Sequence, residues 1–279
     1  MQQIAGKVAI VTGASRGLGP IIARALARRG MDLALAARSA DELQQVADSI
    51  AKLGVRTLAI TADVTTESGR DAIVERTMAE LGPIAVLVNN AGIENTAAYD
   101  EQDPAEIARI VEVNLVAPML LSRAVLPSML ARGEGHIVNM ASLAGKAGLA
   151  YDIAYSSSKG GLIQFTEGLR AEYHGRGVSA SVICPGFVED VGMYANFSAA
   201  TGATAPRMAG TSPPSKVVSA VVRAIRRDVP EIIVNPGPMQ LVFSFAELSP
   251  GAFERVFRAV GGTHDMFRRA AEVRKKEQQ

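Results

Sequence analysis

Seven short apolar runs alternate with longer amphipathic windows along this chain, and that alternation leaves few folds open to it. The runs are KVAIVT (7–12), DLALAA (32–37), VRTLAIT (55–61), AVLVN (85–89), HIVNMA (136–141), VSASVIC (178–184) and EIIVN (231–235). Their nearly continuous apolar character is what strands buried on both faces require. Helical windows lie between them, at 18–29, 40–53, 67–80, about 104–131, 153–174 and 214–227. A β-α-β-α order with right-handed crossovers predicts an α/β fold over residues 1–238. It is a single doubly wound domain, with a parallel seven-stranded sheet and helices on both faces. The segment 190–213 lacks periodicity, carries Met193, Tyr194, Phe197 and Met208 among small residues, and is expected to be a substrate lid.

Residues 239–279 lie beyond the last strand and are expected to form a helical C-terminal extension. MQLVFSFAEL is apolar nearly all round. Ser249-Pro250 suits the N-cap and first position of a second helix, with Phe253, Val256, Phe257 and Val260 along one face and Gly261-Gly262 as its stop. A third stretch carries Met266 and Phe267 and then turns basic, with Arg268, Arg269, Arg274, Lys275 and Lys276. Three uses compete for the apolar face: a cover over the substrate pocket, a subunit interface, or peripheral membrane contact. Packing on its own domain or on a neighbouring subunit is favoured over membrane, because the basic cluster is short and lies at the very end.

Composition removes other classes. The balance of 29 Lys+Arg against 28 Asp+Glu, a net charge of +1, gives no electrostatic footprint for nucleic acid. Cys184 is alone, which excludes an internal disulfide and any Cys-based zinc site; His136, His174 and His264 lack ligand spacing, so no metal is expected. The N-terminus shows neither a signal peptide nor a membrane span, so a cytoplasmic protein is expected.

The first run leads into TGASRGLG (12–19) and then a helix. Gly13, Gly17 and Gly19 permit a tight turn and a close approach to a pyrophosphate at the helix N-terminus, and Ser15, Arg16 and Leu18 complete the loop. The bland reading is a tight strand-to-helix connection. At the end of the second run, where NAD sites place a carboxylate, this chain has Ala37 followed by Arg38. A guanidinium suits a 2′-phosphate, and Arg16 offers a second positive charge, so NADP(H) is expected, with NAD(H) second. Either arginine alone would read as a solvated surface residue.

YSSSK (155–159) places Tyr155 and Lys159 four apart on one helix face. A phenol working near neutral pH must have its proton affinity lowered, and bringing it from about 10 to about 7 takes roughly 4 kcal/mol of differential stabilisation. An adjacent ammonium supplies part of that. Ser142 stands at the end of the preceding strand, where it could hold a substrate oxygen or simply act as an N-cap. Asn114 lies four residues before Pro118 in what reads as one long helix. Proline there removes a hydrogen bond and predicts a bend, whose freed carbonyl could hold a water near Lys159; otherwise Pro118 merely starts a second helix.

With TGASRGLG, Asp63, NNAG (89–92), Asn114, Ser142, YSSSK and PG (185–186) in this order, the chain resembles the short-chain dehydrogenase/reductase family over about residues 5–236. The resemblance implies a Rossmann-type domain. It implies Tyr155 as acid/base, Lys159 as its modulator and nicotinamide-ribose ligand, Ser142 orienting the substrate oxygen and Asn114 in a proton relay. Asp63 and Val64 would meet the adenine; Asn89 with Asn90, Ala91 and Gly92 would line the adenosine side; Pro185, Gly186 and Val188 would lie at the nicotinamide end. One departure stands out: the family usually has a Thr where PGFVED places Asp190. Cys184 reads as a small buried residue, not a nucleophile.

The expected activity is hydride transfer between nicotinamide and a carbonyl or secondary alcohol, in a homo-oligomer. A pocket wall of Glu94, Ala144, Leu149, Tyr151, Met193, Tyr194 and Phe197 is mainly apolar and points to a hydrophobic ketone or alcohol. The alternatives are a nucleotide-binding scaffold without turnover, and epimerase or dehydratase chemistry on the same fold.

Overall fold

In the computed structural model the described residues are 1–206, 209–260 and 263–277. The strands of the main sheet are β1 (Val8–Thr12), β2 (Asp32–Ala37), β3 (Thr57–Thr61), β4 (Ile84–Asn89), β5 (Gly135–Met140), β6 (Val178–Pro185) and β9 (Glu231–Val234). They pair in parallel in the order β3-β2-β1-β4-β5-β6-β9. Because strand side chains alternate faces, Ala9 and Val11 of β1 join a core with helices α1 (Leu18–Ala27), α2 (Ala40–Ala51) and α8 (Pro214–Arg227). Val8 and Ile10 face the opposite layer, built on α3 (Glu67–Glu80) and α5 (Ala117–Arg132). The strand order reverses between β1 and β4, which opens the crevice where ligands of such sheets bind.

The long helical window is α4 (Pro104–Val111), a π-helical turn at Glu112–Val116, and α5. The π turn ends just before Ala117-Pro118, so the chain accommodates the proline with a widened turn inside one continuous helical stretch. This stretch, 104–132, is long and apolar enough to cross a membrane by length and composition alone. Half of its apolar window is buried, and α5 packs on α3, β4 and β5.

Helix α6 (Ile153–Glu172) follows β5. The 190–213 segment is more regular than expected. It holds α7 (Gly192–Thr201), and the two-residue strands β7 (Phe187–Val188) and β8 (Thr211–Ser212) pair in parallel beside it. Alanines and Met193 favour helix without an apolar stripe, so periodicity gave no sign of α7. Met208 lies outside the described residues. The extension forms α9 (Met239–Leu248), α10 (Pro250–Val260) and α11 (Thr263–Glu277). α10 begins at Pro250 as expected, and the Ser249 carbonyl accepts from the Phe253 N–H. The Gly261-Gly262 stop and the side chains of Val256, Phe257, Val260 and Lys276 lie outside what is described.

Candidate functional site

The crevice is built at the carboxyl ends of β1 and β4. Thr12 Oγ1 accepts from the backbone N–H of Asn90 (3.0 Å) and Ala91 (3.1 Å), and so binds the two strand ends together. Asn90 Nδ2 folds back onto the carbonyls of Thr12 (2.9 Å) and Gly13 (3.2 Å), supporting the glycine loop from beneath. Gly13 has φ 63°, and a Cβ there would lie 2.8 Å from Ala91 Cα. The loop therefore presses on the β4 end as only glycine permits. Gly17 has φ 65° immediately before α1, Arg16 is exposed, Ser15 is half-buried, and Leu18 packs against the core. The N–H groups that open α1 are thus left facing the crevice with no side-chain cap.

Arg38 follows β2 with its side chain half-exposed. Asp63 Oδ2, from just past the end of the neighbouring strand β3, lies 4.0 Å from Arg38 Nη1. Burial raises the Asp63 carboxyl, but hydrogen bonds from the Thr65 N–H and hydroxyl and the Arg38 charge outweigh it and hold it below its ordinary range. Arg38, Asp63, Thr65, Arg109 and Val113 line a cleft of about 430 Å³. Val64 is half-buried, its carbonyl held by Arg70 Nη1 at 2.9 Å.

Two carried-over positions have buried side chains. Asn89 is buried, and its Nδ2 reaches Asn139 Oδ1 (2.8 Å) and Ser122 Oγ (3.2 Å), tying β4 to β5 and α5. Val188 belongs to the core, while Pro185 and Gly186 stay at the crevice end of β6. Beyond them Asp190 takes φ 59°, a left-handed backbone rare for a non-glycine residue, after Glu189 is fixed by Thr211 Oγ1 (2.5 Å) and Ser212.

Tyr155, Lys159, Ser142 and Asn114 converge. Gly92 marks the place: a Cβ there would stand 3.2 Å from Asn114 Oδ1, 3.4 Å from Met193 Cε and 3.5 Å from Lys159 Nζ. Lys159 Nζ donates to the Met140 carbonyl (2.8 Å) and lies 5.6 Å from the centre of the Tyr155 ring. Burial brings the Lys159 ammonium down to about 8, with the Cys184 side opposing. Burial raises the Tyr155 phenol above its ordinary value and the Asp152 carboxyl adds to this, while a hydrogen bond from Ser142 works the other way. Ser142 also caps the turn Leu143–Gly145, accepting from the Ala144 N–H (3.2 Å), which is the N-cap reading of this residue. Asn114 is fully buried. Its side chain accepts from the Ile93 N–H (2.9 Å) and donates to the Ile93 carbonyl (2.8 Å) and Ser158 Oγ (3.1 Å). Burial pushes the Cys184 thiol up to about 12, which keeps it neutral.

Next to this group Leu149, Tyr151, Tyr194 and Phe197 form one apolar cluster with Phe187 and with Met266 and Phe267 of α11. Ala144 is outside it and borders, with Leu149, a separate cleft of about 560 Å³ at the start of α6. Glu94 is held by Arg274 of α11 (3.0 Å). Sequence reasoning passed over Asp152, whose three-residue spacing from Tyr155 was visible, and Arg274, whose pairing across 180 residues was not.

Comparison with known proteins agrees with this geometry. Residues 7–202 match the short chain dehydrogenase family. The ketoacyl reductase HetN of Nostoc sp. (strain PCC 7120) is 42% identical over 266 residues, covering 94% of this chain and 91% of that protein. The 3-oxoacyl-[acyl-carrier-protein] reductase FabG of Escherichia coli K12 is 36% identical over 184 residues, 66% of this chain and 74% of that protein. A crystal structure of a metagenomic short-chain oxidoreductase in complex with NADP superposes with a TM-score of 0.71 at 31% identity, covering 83% of this chain and 98% of that one. This chain is a member of the short-chain dehydrogenase/reductase family.

Proposed function

We propose that the protein is an NADP(H)-dependent carbonyl reductase acting on a hydrophobic, ketoacyl-like substrate, with Tyr155 as acid/base. The observation that carries this reading is the convergence of Tyr155, Lys159, Ser142 and Asn114 around Gly92, beside an apolar cluster at the strand-order switch. The ketoacyl reductase relatives and the NADP-bound neighbour support the substrate class and the dinucleotide. The residues fit such a cofactor. A side chain at Gly13 would strike Ala91 and push the glycine loop off the β4 end, and the half-exposed Arg38 suits a 2′-phosphate better than a bare ribose.

When bound, the nicotinamide supplies or accepts the hydride. The glycine loop would hold its phosphates, Arg38 the 2′-phosphate, and Lys159 the nicotinamide ribose. During reduction Tyr155 Oη gives its proton to the substrate oxygen, which Ser142 Oγ orients by hydrogen bonding. The buried Lys159 ammonium stabilises the phenolate left behind, and its bond to the Met140 carbonyl keeps it in place. Asn114 fixes the Ile93 backbone and Ser158 of α6 to each other, which keeps the phenol and ammonium in register. In the oxidative direction the same phenolate takes the alcohol proton. We divide the chain into this domain, residues 1–238, and the C-terminal extension. We read it as a homo-oligomer, a state consistent with the exposed Met119 and Leu120 on α5.

Initial rates of NADPH consumption with 3-oxoacyl thioesters of increasing chain length test the reading. Turnover that rises with chain length, and is weaker with NADH, is the expected result. Uniform inactivity across the series with both dinucleotides contradicts it.

A further inference from the structure

Helix α11 is anchored at two places around the site. Near its start Met266, Phe267 and Ala270 pack into the cluster of Tyr151, Tyr194 and Phe197, with the Phe267 and Phe197 rings 5.5 Å apart and His264 edge-on to Tyr151 at 5.5 Å. Near its end Arg274 Nη2 donates to Glu94 Oε1 (3.0 Å), Arg274 Nη1 to Asn95 Oδ1 (3.4 Å), and Lys275 pairs with Glu101. The Glu94 and Arg274 side chains are only 14% and 26% exposed, so their charges are screened less than a surface pair. Asp152 lies at the N-cap of α6, three residues before Tyr155 on the same face, 5% exposed, with an Oδ1 that has no hydrogen-bond partner. Burial first, and the Glu94 charge second, raise the Asp152 carboxyl, whereas Arg274 lowers it. The residue before it, Tyr151, adopts φ 65°, and its carbonyl accepts from the Ala97 N–H (2.9 Å). Strained backbone of this kind, beside a buried carboxyl oxygen without a partner, is the kind of feature that collects at functional sites.

We propose that Arg274 is a positioning residue for the reaction: it holds and neutralises Glu94 at the wall of the site, which makes the C-terminal helix part of the machinery that governs proton transfer at Tyr155. This rests on Tyr155 being the acid/base. The charged and titratable groups around the phenol come from each element packed there. They are Lys159 and Asp152 on α6, Glu94 after β4, and Cys184 on β6 as a neutral thiol, with Arg274 on α11 acting through Glu94 and Asp152. An uncompensated Glu94 would add negative charge beside both Asp152 and Tyr155, and so oppose formation of the phenolate.

The test is the pH profile of kcat/KM for alcohol oxidation, the direction that needs the phenolate. Arg274→Gln should move the acid limb up by roughly one pH unit. Arg274→Lys should hold it near the parent, and Glu94→Gln/Arg274→Gln should bring it back. Ultraviolet difference titration of the tyrosinate in the NADP⁺ complex, with Tyr155→Phe subtracted, should move in the same sense. If Arg274→Gln fails to fold, Glu94→Gln alone must move the limb down. A clamp with no electrostatic role would lower the rate equally at every pH, without rescue by Glu94→Gln, and that result overturns the proposal. Tyr155→Phe separates the two claims. If it retains turnover, the reading of Tyr155 fails; if it is silent while the Arg274→Gln limb stays put, only the role of Arg274 fails.

Discussion

At the scale of the residue, the clearest feature is an absent side chain. Gly92 leaves the space into which Asn114, Met193 and Lys159 project, and the sequence showed it as the last residue of NNAG, placed by resemblance on the adenosine side. Tyr155, Lys159 and Ser142 were legible because their spacing on one helix and one strand end is local. The surroundings of Asp152 were not, because Glu94 and Arg274 reach it from distant segments. Arg38 shows the same limit. Its place after β2 was readable, but its nearness to Asp63 depends on the pairing of β2 with β3. Arg38→Ala should weaken NADPH binding by about 1.5–3 kcal/mol, roughly 10- to 150-fold in Kd, and leave NADH nearly unchanged. Fluorescence titration with both dinucleotides checks this; equal losses would show that Arg38 does not meet the 2′-phosphate.

At the scale of the element, strands were read well because two-sided burial writes itself as continuous apolar runs. Helix α7 was not, because GMYANFSAAT carries helix formers without a stripe, and only Phe197 is buried. The π turn at Glu112–Val116 was half legible: Pro118 announced an irregularity but not its form. Strand β5 hides a further property. His136 is 2% exposed, its Nε2 lies 2.9 Å from Ser181 Oγ, and burial lowers it from 6.5 to about 4 although Asp228 opposes this. The unfolded chain therefore binds a proton between pH 6.5 and about 4 that the folded chain refuses. Stability is complete above the unfolded value and is lost as pH falls through this window, by up to about 3 kcal/mol. Urea unfolding from pH 7 to pH 4 should show the loss, and His136→Gln should flatten it. An identical slope in the variant would assign the acid sensitivity elsewhere.

At the scale of the whole molecule, the extension divides in two. α9 exposes Leu241, Phe245 and Leu248, whereas α11 buries Met266, Phe267 and Ala270 against α7 and its neighbours. α11 packs on its own domain, against the apolar cluster around Phe197. Local periodicity could not choose among the three uses open to the tail, since each needs the same face. Phe267→Ala should loosen this docking by about 3 kcal/mol and leave the dinucleotide crevice untouched. Native-state proteolysis at Arg268 and Arg269 should then quicken while NADPH affinity stays within a few fold; unchanged cleavage would mean that the ring does not anchor α11. Tyr155→Phe removes one oxygen from a side chain whose ring stays packed, so the melting temperature and NADPH affinity should hold while kcat falls at least about 10²-fold. A variant that binds NADPH and turns over a ketone within a few fold of the parent would contradict the account.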